Sequence, residues 1–256
     1  MDNQPVPAAT ILLLRDMPAF EVLMIERHAD LGFAGGALVF PGGRIDPGDH
    51  DPRWARCADG LDPRLAPAQI AAVREAFEET GVLLAREGAA LIDGPRAAGL
   101  ASWRPLVAAD DGKFLEMIAG QGLRLACDGL RLFAHWVASP RLRRRFDTLF
   151  FAARCPADHA ALADGSEATE ALWIAPHNAI EARRSRARKV IFPTARNLEL
   201  LGVSGSVDEV FAFAARRPIP AITADIETRD GVDWLVLPTG LGYPVTEEIV
   251  DPAMRG

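Results

Sequence analysis

The chain has 256 residues, of which 49% are hydrophobic and 25% charged, with a formal net charge of −7. That balance excludes long disorder and fibrous architectures, and the acidic surplus argues against a broad electrostatic grip on nucleic acid. Three cysteines (Cys57, Cys127 and Cys155) without a CxxC pair, no basic-then-apolar leader and no apolar run of roughly 20 residues lead us to expect a soluble cytoplasmic protein without a membrane partner.

In chain order, Ala8 to Leu14 and Phe20 to Ile25 are short apolar runs separated by Arg15, Asp16, Met17 and Pro18, which reads as strand, turn and strand. Ala37 to Phe40 is a third short strand, stopped by Pro41, Gly42 and Gly43. Asp46 to Pro67, rich in Asp, Pro and Gly, reads as a long loop leading to a helix over about 68–84, with Gly81 near its end. A helix near Phe114 to Gly120 precedes strands at Leu132 to Val137, Thr148 to Ala153 and Ala171 to Ile174. Helices over Pro176 to Arg188, Thr194 to Leu201 and Val207 to Ala215 follow. The tail from Ala221 to Leu237 reads as a hairpin turning at Asp230 and Gly231. No repeat or flexible linker divides the chain, so one domain is expected.

The helix over 68–84 carries Arg74, Glu75, Ala76, Phe77, Glu78, Glu79, Thr80, Gly81 and Val82. At helical spacing Glu75, Glu78 and Glu79 share one face, while Ile70, Val73, Phe77 and Leu84 gather opposite as an apolar stripe. Like charges so placed weaken a helix by about 0.2–0.5 kcal/mol per pair, and a cation would convert that weakness into a site. Carboxylates are hard ligands suited to Mg²⁺ or Mn²⁺, which commonly complete their shell with phosphate oxygens. Upstream, Gly42 and Gly43 provide backbone without side chains, which a metal or phosphate can approach closely.

These segments resemble the Nudix hydrolase family, whose signature runs from a glycine through an acid to REUxEExGU, U being apolar. Arg74 to Val82 match the second half, and Gly43 with Asp49 the first, across an enlarged gap of 24 residues, 50 to 73. The resemblance implies an α/β fold, an α/β/α sandwich around a mixed sheet, with additions near 50–67 and 91–129 and an extension after about 205. It implies Glu75, Glu78, Glu79 and the Gly42 carbonyl as metal ligands, and Arg74 as the residue that orients the glutamates. Within the family, Leu23, Met24, Arg27, Gly36 and the Phe40 to Gly43 turn, together with His135 to Val137, Pro140, Arg145 to Phe151, Trp173 and Pro176, are similar to coenzyme A diphosphatases. That similarity implies hydrolysis of coenzyme A or acyl-coenzyme A to adenosine 3′,5′-bisphosphate and a 4′-phosphopantetheine. Alternatives are a pyrophosphatase acting on ADP-ribose or another nucleoside diphosphate derivative, and a catalytically silent domain that senses a nucleotide metabolite.

Candidate substrate contacts are Arg27, Gly43, Arg44 and Arg145. For the general base, Glu167 and Glu170 both precede Trp173, and subgroup spacing favours Glu167. The basic runs Arg141 to Arg145 and Arg183 to Lys189 read first as solvated surface. None of the five histidines has metal-ligand spacing, and Gly202 to Ser206 is not a GxSxG elbow. Nothing in the sequence fixes an oligomeric state.

Overall fold

The computed structural model describes residues 4–32, 34–140 and 145–250. In chain order, β1 (Val6–Arg15), β2 (Glu21–Arg27), β3 (Leu38–Val39) and β4 (Gly42–Arg44) lead through α1 (Trp54–Cys57) and β5 (Ala58–Asp59) to α2 (Ala66–Thr80). Next come β6 (Ala85–Glu87), β7 (Ala90–Leu91), α3 (Gly94–Ala98), α4 (Arg104–Ala109), α5 (Lys113–Gly120) and β8 (Leu123–Ala126). The chain continues through β9 (Arg131–Val137), β10 (Phe146–Arg154), β11 (Ala168–Ile174), α6 (Pro176–Arg184), α7 (Phe192–Leu201) and α8 (Val207–Arg216). It ends in β12 (Ala221–Ile222), β13 (Asp225–Arg229), β14 (Val232–Val236) and β15 (Glu247–Ile249).

Among the described residues the main sheet runs β11-β2-β1-β10-β9-β12, with β3 against β2 and β4 against β1. Strand β1 is parallel to β10, Val6 lying opposite Phe146, and antiparallel to β4, with Ala8 opposite Arg44 and Thr10 opposite Gly42. The mixed sheet is covered on both faces, which is why β1 reads as a continuous apolar run rather than an alternation. Ala9, Ile11 and Leu13 face the core built on α2, while Leu12 and Leu14 face the one built on α6, α7 and α8. The architecture is the α/β/α sandwich expected from the sequence.

Helix α2 stops at Thr80, four residues short of the sequence expectation. Gly81 takes the left-handed conformation, φ 76°, and its N–H closes on the Phe77 carbonyl. A side chain at such a φ is strained, so glycine sets this end. Leu84 therefore leaves the helix, although it stays buried in the same core. The stretch 46–67 is not structureless: it contains a 3-10 turn at Pro47–His50, α1 and β5. Trp54 of α1 and Phe77 of α2 both pack on Phe114 of α5, with ring centroids 5.4 and 6.3 Å apart, so α1 and α5 share the core of α2. A small sheet, β5-β8-β6-β7, was not legible in the sequence because its strands are two to four residues long.

Farther on, α6 ends at Arg184 rather than Arg188. The terminal turn forms as expected, with Asp230 and Gly231 at φ 50° and 79°. The run Arg183 to Lys189 is more engaged than a solvated face: Arg183 pairs with Glu248, and Arg188 with Glu26 and Glu170. Of the other basic run, residues 141–144 lie outside the described residues. No helix among those described is long and apolar enough to cross a membrane.

Candidate active site

Residues 74, 75, 78 and 79 lie on two adjacent turns of α2, which would ordinarily face water. Here β4 and the 46–51 turn cover them, so the expected acidic face is itself largely buried: Arg74 is 4%, Glu75 9% and Glu79 3% exposed. The glycines permit this approach. A Cβ on Gly43 would stand 2.4 Å from a Glu75 carboxylate oxygen, and one on Gly42 2.6 Å from the Ala9 carbonyl. Ladder bonds from Ile11 to Pro41 and from Ile45 to Pro7 make Gly42–Thr10 a non-hydrogen-bonded pair, which turns the Gly42 amide away from β1. That N–H donates to Glu79 Oε2 at 2.9 Å.

Arg74 organises one side of the cluster. Its guanidinium donates to both oxygens of Asp49 at 3.0 Å, to Glu75 and Glu78 at 2.9 Å each, and to the Arg44 carbonyl at 2.8 Å. Asp49, which the enlarged gap left hard to place, is thus the bidentate partner of Arg74. Arg27, projecting from β2, stands 3.7 Å from Glu79 and 3.8 Å from Glu167. Burial pushes the Glu75 carboxyl up to about 8 against the pull of Arg74, with Glu78 adding to the rise. Burial, then the neighbouring Glu75, raises Glu79 well above the usual carboxylate range. Asp49 and Glu78 are also raised by burial despite Arg74.

Glu167 reaches the cluster from the loop before β11. The Asp164 carboxylate ties that loop, accepting N–H bonds from Ser166, Glu167 and Ala168 at 2.8–3.0 Å, while the Glu167 carbonyl accepts from the His28 N–H at 2.8 Å. The Glu167 side chain is 61% exposed, yet close enough for its charge to raise both Glu75 and Glu79. Glu170 goes elsewhere. Ala171 and Trp173 face the α2 side whereas Leu172 and Ile174 face the other, so alternation puts Glu170 on the far face, bonded to Arg188 at 2.7 Å.

The remaining candidates divide. Arg27 joins the glutamates. Arg44 lends its carbonyl to Arg74 and exposes its side chain; Arg145 lies at the start of β10, its Nε 3.4 Å from the Ala138 carbonyl. Both stand beside the first residues of β1. Two contributors were missed. Asp164 followed by Gly-Ser was readable as a turn former, while Arg104, which donates to the Glu78 and Leu162 carbonyls at 2.9 Å each, gave no signal in the sequence.

Glu79 Oε1 is buried without a hydrogen-bond partner, which is the observation that tests whether a cation fits. Glu75 from the helix and Glu167 from the loop stand near enough for their charges to raise Glu79, so hard oxygen donors surround it. Arg74 acts as counter-ion to Glu75 and Glu78, so among the described residues no three His, Cys, Asp or Glu side chains already close on one point. The donor set fits a hard divalent cation, with Glu79 the unsatisfied member.

Residues 59–199 match the family model described as the NUDT19 Nudix domain. The chain is 26% identical to a Xenopus laevis protein named acyl-coenzyme A diphosphatase NUDT19, over 78% of this chain and 64% of that one. It is 29% identical to the human protein of that name, over 80% of this chain and 69% of the other. Among solved structures, a Nudix hydrolase from Alicyclobacillus acidocaldarius superposes with a TM-score of 0.69 at 24% identity, over 83% of this chain and 97% of that one. The matched segment runs from β5 to α7 and contains the whole glutamate helix, and on that match the chain belongs to the Nudix hydrolases, in the family of the NUDT19 Nudix domain.

Proposed function

We propose that the chain hydrolyses the diphosphate linkage of coenzyme A or acyl-coenzyme A, releasing adenosine 3′,5′-bisphosphate and the corresponding 4′-phosphopantetheine. The observation that carries this reading is the surplus of buried carboxylate around Glu79, whose Oε1 has no hydrogen-bond partner. The names of the frog and human relatives support the choice of substrate.

Glu75, Glu78 and Glu79, with the Gly42 carbonyl, would hold Mg²⁺ or Mn²⁺. Bound there, the ions neutralise diphosphate charge and make the attacking water more acidic. Arg74 keeps Glu75 and Glu78 in place through 2.9 Å bonds, and the Gly42 N–H does the same for Glu79. Glu167 is the base: its carboxylate is exposed enough to take the proton of the attacking water and pass it to solvent. Water oxygen adds to one phosphorus, the bridging P–O bond breaks, and each product keeps one phosphate of the cleaved diphosphate, the nucleoside retaining its 3′-phosphate besides. Arg27, between Glu79 and Glu167, is positioned to meet the negative charge of the diphosphate, while Arg44 and Arg145 are candidates for its outer phosphates. Three free cysteines are consistent with a reducing, cytoplasmic setting.

The test is incubation with Mg²⁺ or Mn²⁺ and a panel of coenzyme A, acyl-coenzyme A, ADP-ribose, NADH and diadenosine polyphosphates, with products resolved by chromatography. Adenosine 3′,5′-bisphosphate from the coenzyme A species supports the reading. Preferential cleavage of another member rejects the substrate, and binding without turnover rejects the activity.

A further inference from the structure

Beyond Glu78, toward the C-terminal end of α2, a cleft of about 220 Å³ opens. Ala101, Pro105 and Ala108 line one wall, Asp164 and Ser166 the other, and Glu78 and Arg104 complete it. One wall therefore comes from α4 and the residues before it, and the other from the loop that presents Glu167. Arg104 joins the three parts, donating from Nε to the Glu78 carbonyl and from NH2 to the Leu162 carbonyl. Two of its nitrogens are thereby turned to main-chain carbonyls rather than into the cleft. Glu78 and Asp164 bring two carboxylates against that single guanidinium, and a phosphate would be repelled.

What suits this lining is a neutral chain. Ala101, Pro105 and Ala108 give small apolar contacts, while Ser166, whose Oγ donates to the Asp164 carboxylate, keeps lone pairs that can accept an amide N–H. Whole-ligand pockets usually measure about 300–1,000 Å³, so the volume fits part of a ligand rather than all of it. The cationic end lies in the other direction: Arg74, one helical turn before Glu78, bonds the Arg44 carbonyl, and Arg44 and Arg145 both stand beside the start of β1.

We propose that this cleft is the subsite for the neutral, amide-bearing arm on the far phosphate, and that the small side chains of Ala101 and Ala108 set which arms enter. The substrate then lies along α2, its phosphorylated nucleoside toward Arg44 and Arg145 and its arm against α4. This inference rests on the coenzyme A reading above and adds specificity-determining residues to it.

The experiment compares wild type, Ala108→Trp, Ala101→Trp and Ala109→Trp. All three alanines are exposed, and Ala109 is outside the cleft lining. Each protein is assayed with coenzyme A and with 3′-phospho-ADP methyl ester, which keeps every phosphate but replaces the arm by a methyl group. The ester is followed as a substrate or, in the absence of turnover, as a competitive inhibitor. Filling the cleft should weaken use of coenzyme A relative to the ester by at least about tenfold, chiefly through KM, with Ala109→Trp unchanged. An unaltered ratio in Ala108→Trp and Ala101→Trp overturns the cleft assignment alone. Failure of the wild type to cleave coenzyme A overturns the substrate reading itself, and the cleft assignment with it.

Discussion

Two buried charge clusters sit on opposite faces of the sheet, and they are built differently. On the α6–α8 face, Arg196, 2% exposed, bonds Glu199 at 2.9 Å and Glu248 at 3.1 Å, and Arg183 also pairs with Glu248. Two guanidiniums meet two carboxylates. On the α2 face, Arg27 and Arg74 meet Asp46, Asp49, Glu75, Glu78 and Glu79, five carboxylates before Glu167 is added. Unpartnered atoms do not separate the clusters, since Arg196 Nε and Glu199 Oε2 lack partners just as Glu79 Oε1 does. Charge balance does. A balanced cluster fastens β15 to α7, whereas the surplus of carboxyls on α2 is what the proposed cation would neutralise.

The sharpest way to break this comparison is the same conservative change on each side. Glu79→Gln should lower kcat by about 10³-fold, the scale of losing one well-placed group at a reacting phosphate, without loss of thermal stability. Glu199→Gln should leave kcat unaltered and cost about 2 kcal/mol of stability by removing one of the two charged partners of Arg196. Kinetics and denaturant unfolding on both variants measure the contrast. A smaller difference separates the loop acids. Glu167→Gln should lose about 10²-fold in kcat with little change in KM, while Glu170→Gln, on the far face with Arg188, stays near wild type. Smaller again, Gly43→Ala drives a methyl into the Glu75 carboxylate, which can swing aside. Activity should then fall by about tenfold while stability changes by less than about 1 kcal/mol, as activity assays and unfolding midpoints would show.

Much of this was readable in advance, for identifiable reasons. The glutamates and Arg74 are close in sequence and share helical spacing, and the FPGG turn is a short motif of its own, so the pattern itself displayed them. The apolar run from Ala8 to Leu14 displayed β1 as a strand. The end of α2 was misread because apolar Val82 to Leu84 continue the hydrophobic content past Gly81, and only the left-handed φ reveals the stop. The burial of the acidic face could not be read, because it depends on β4 and the 46–51 turn folding back across α2. Arg104 was equally silent: its partners are main-chain carbonyls 26 and 58 residues away, and carbonyls have no sequence signature. Choosing Glu167 over Glu170 by geometry required the fold: Glu167 stands beside Arg27 in the loop before β11, while alternation along β11 turns Glu170 to the far face.

The raised carboxyls give the account its most direct test. In the metal-free protein Glu75, at about 8, and Glu79 hold protons that the unfolded chain releases near 4.5. Stability should therefore decline as pH rises between those values, and a divalent cation should restore more of it at pH 8 than at pH 5. Thermal unfolding of wild type and Glu79→Gln at both pH values, with and without Mn²⁺, measures this. The account predicts a Mn²⁺-dependent rise in Tm that is largest in wild type at pH 8 and much reduced in Glu79→Gln. An equal rise in both proteins, or none in either, would contradict the claim that the surplus carboxylate of α2 is a cation site.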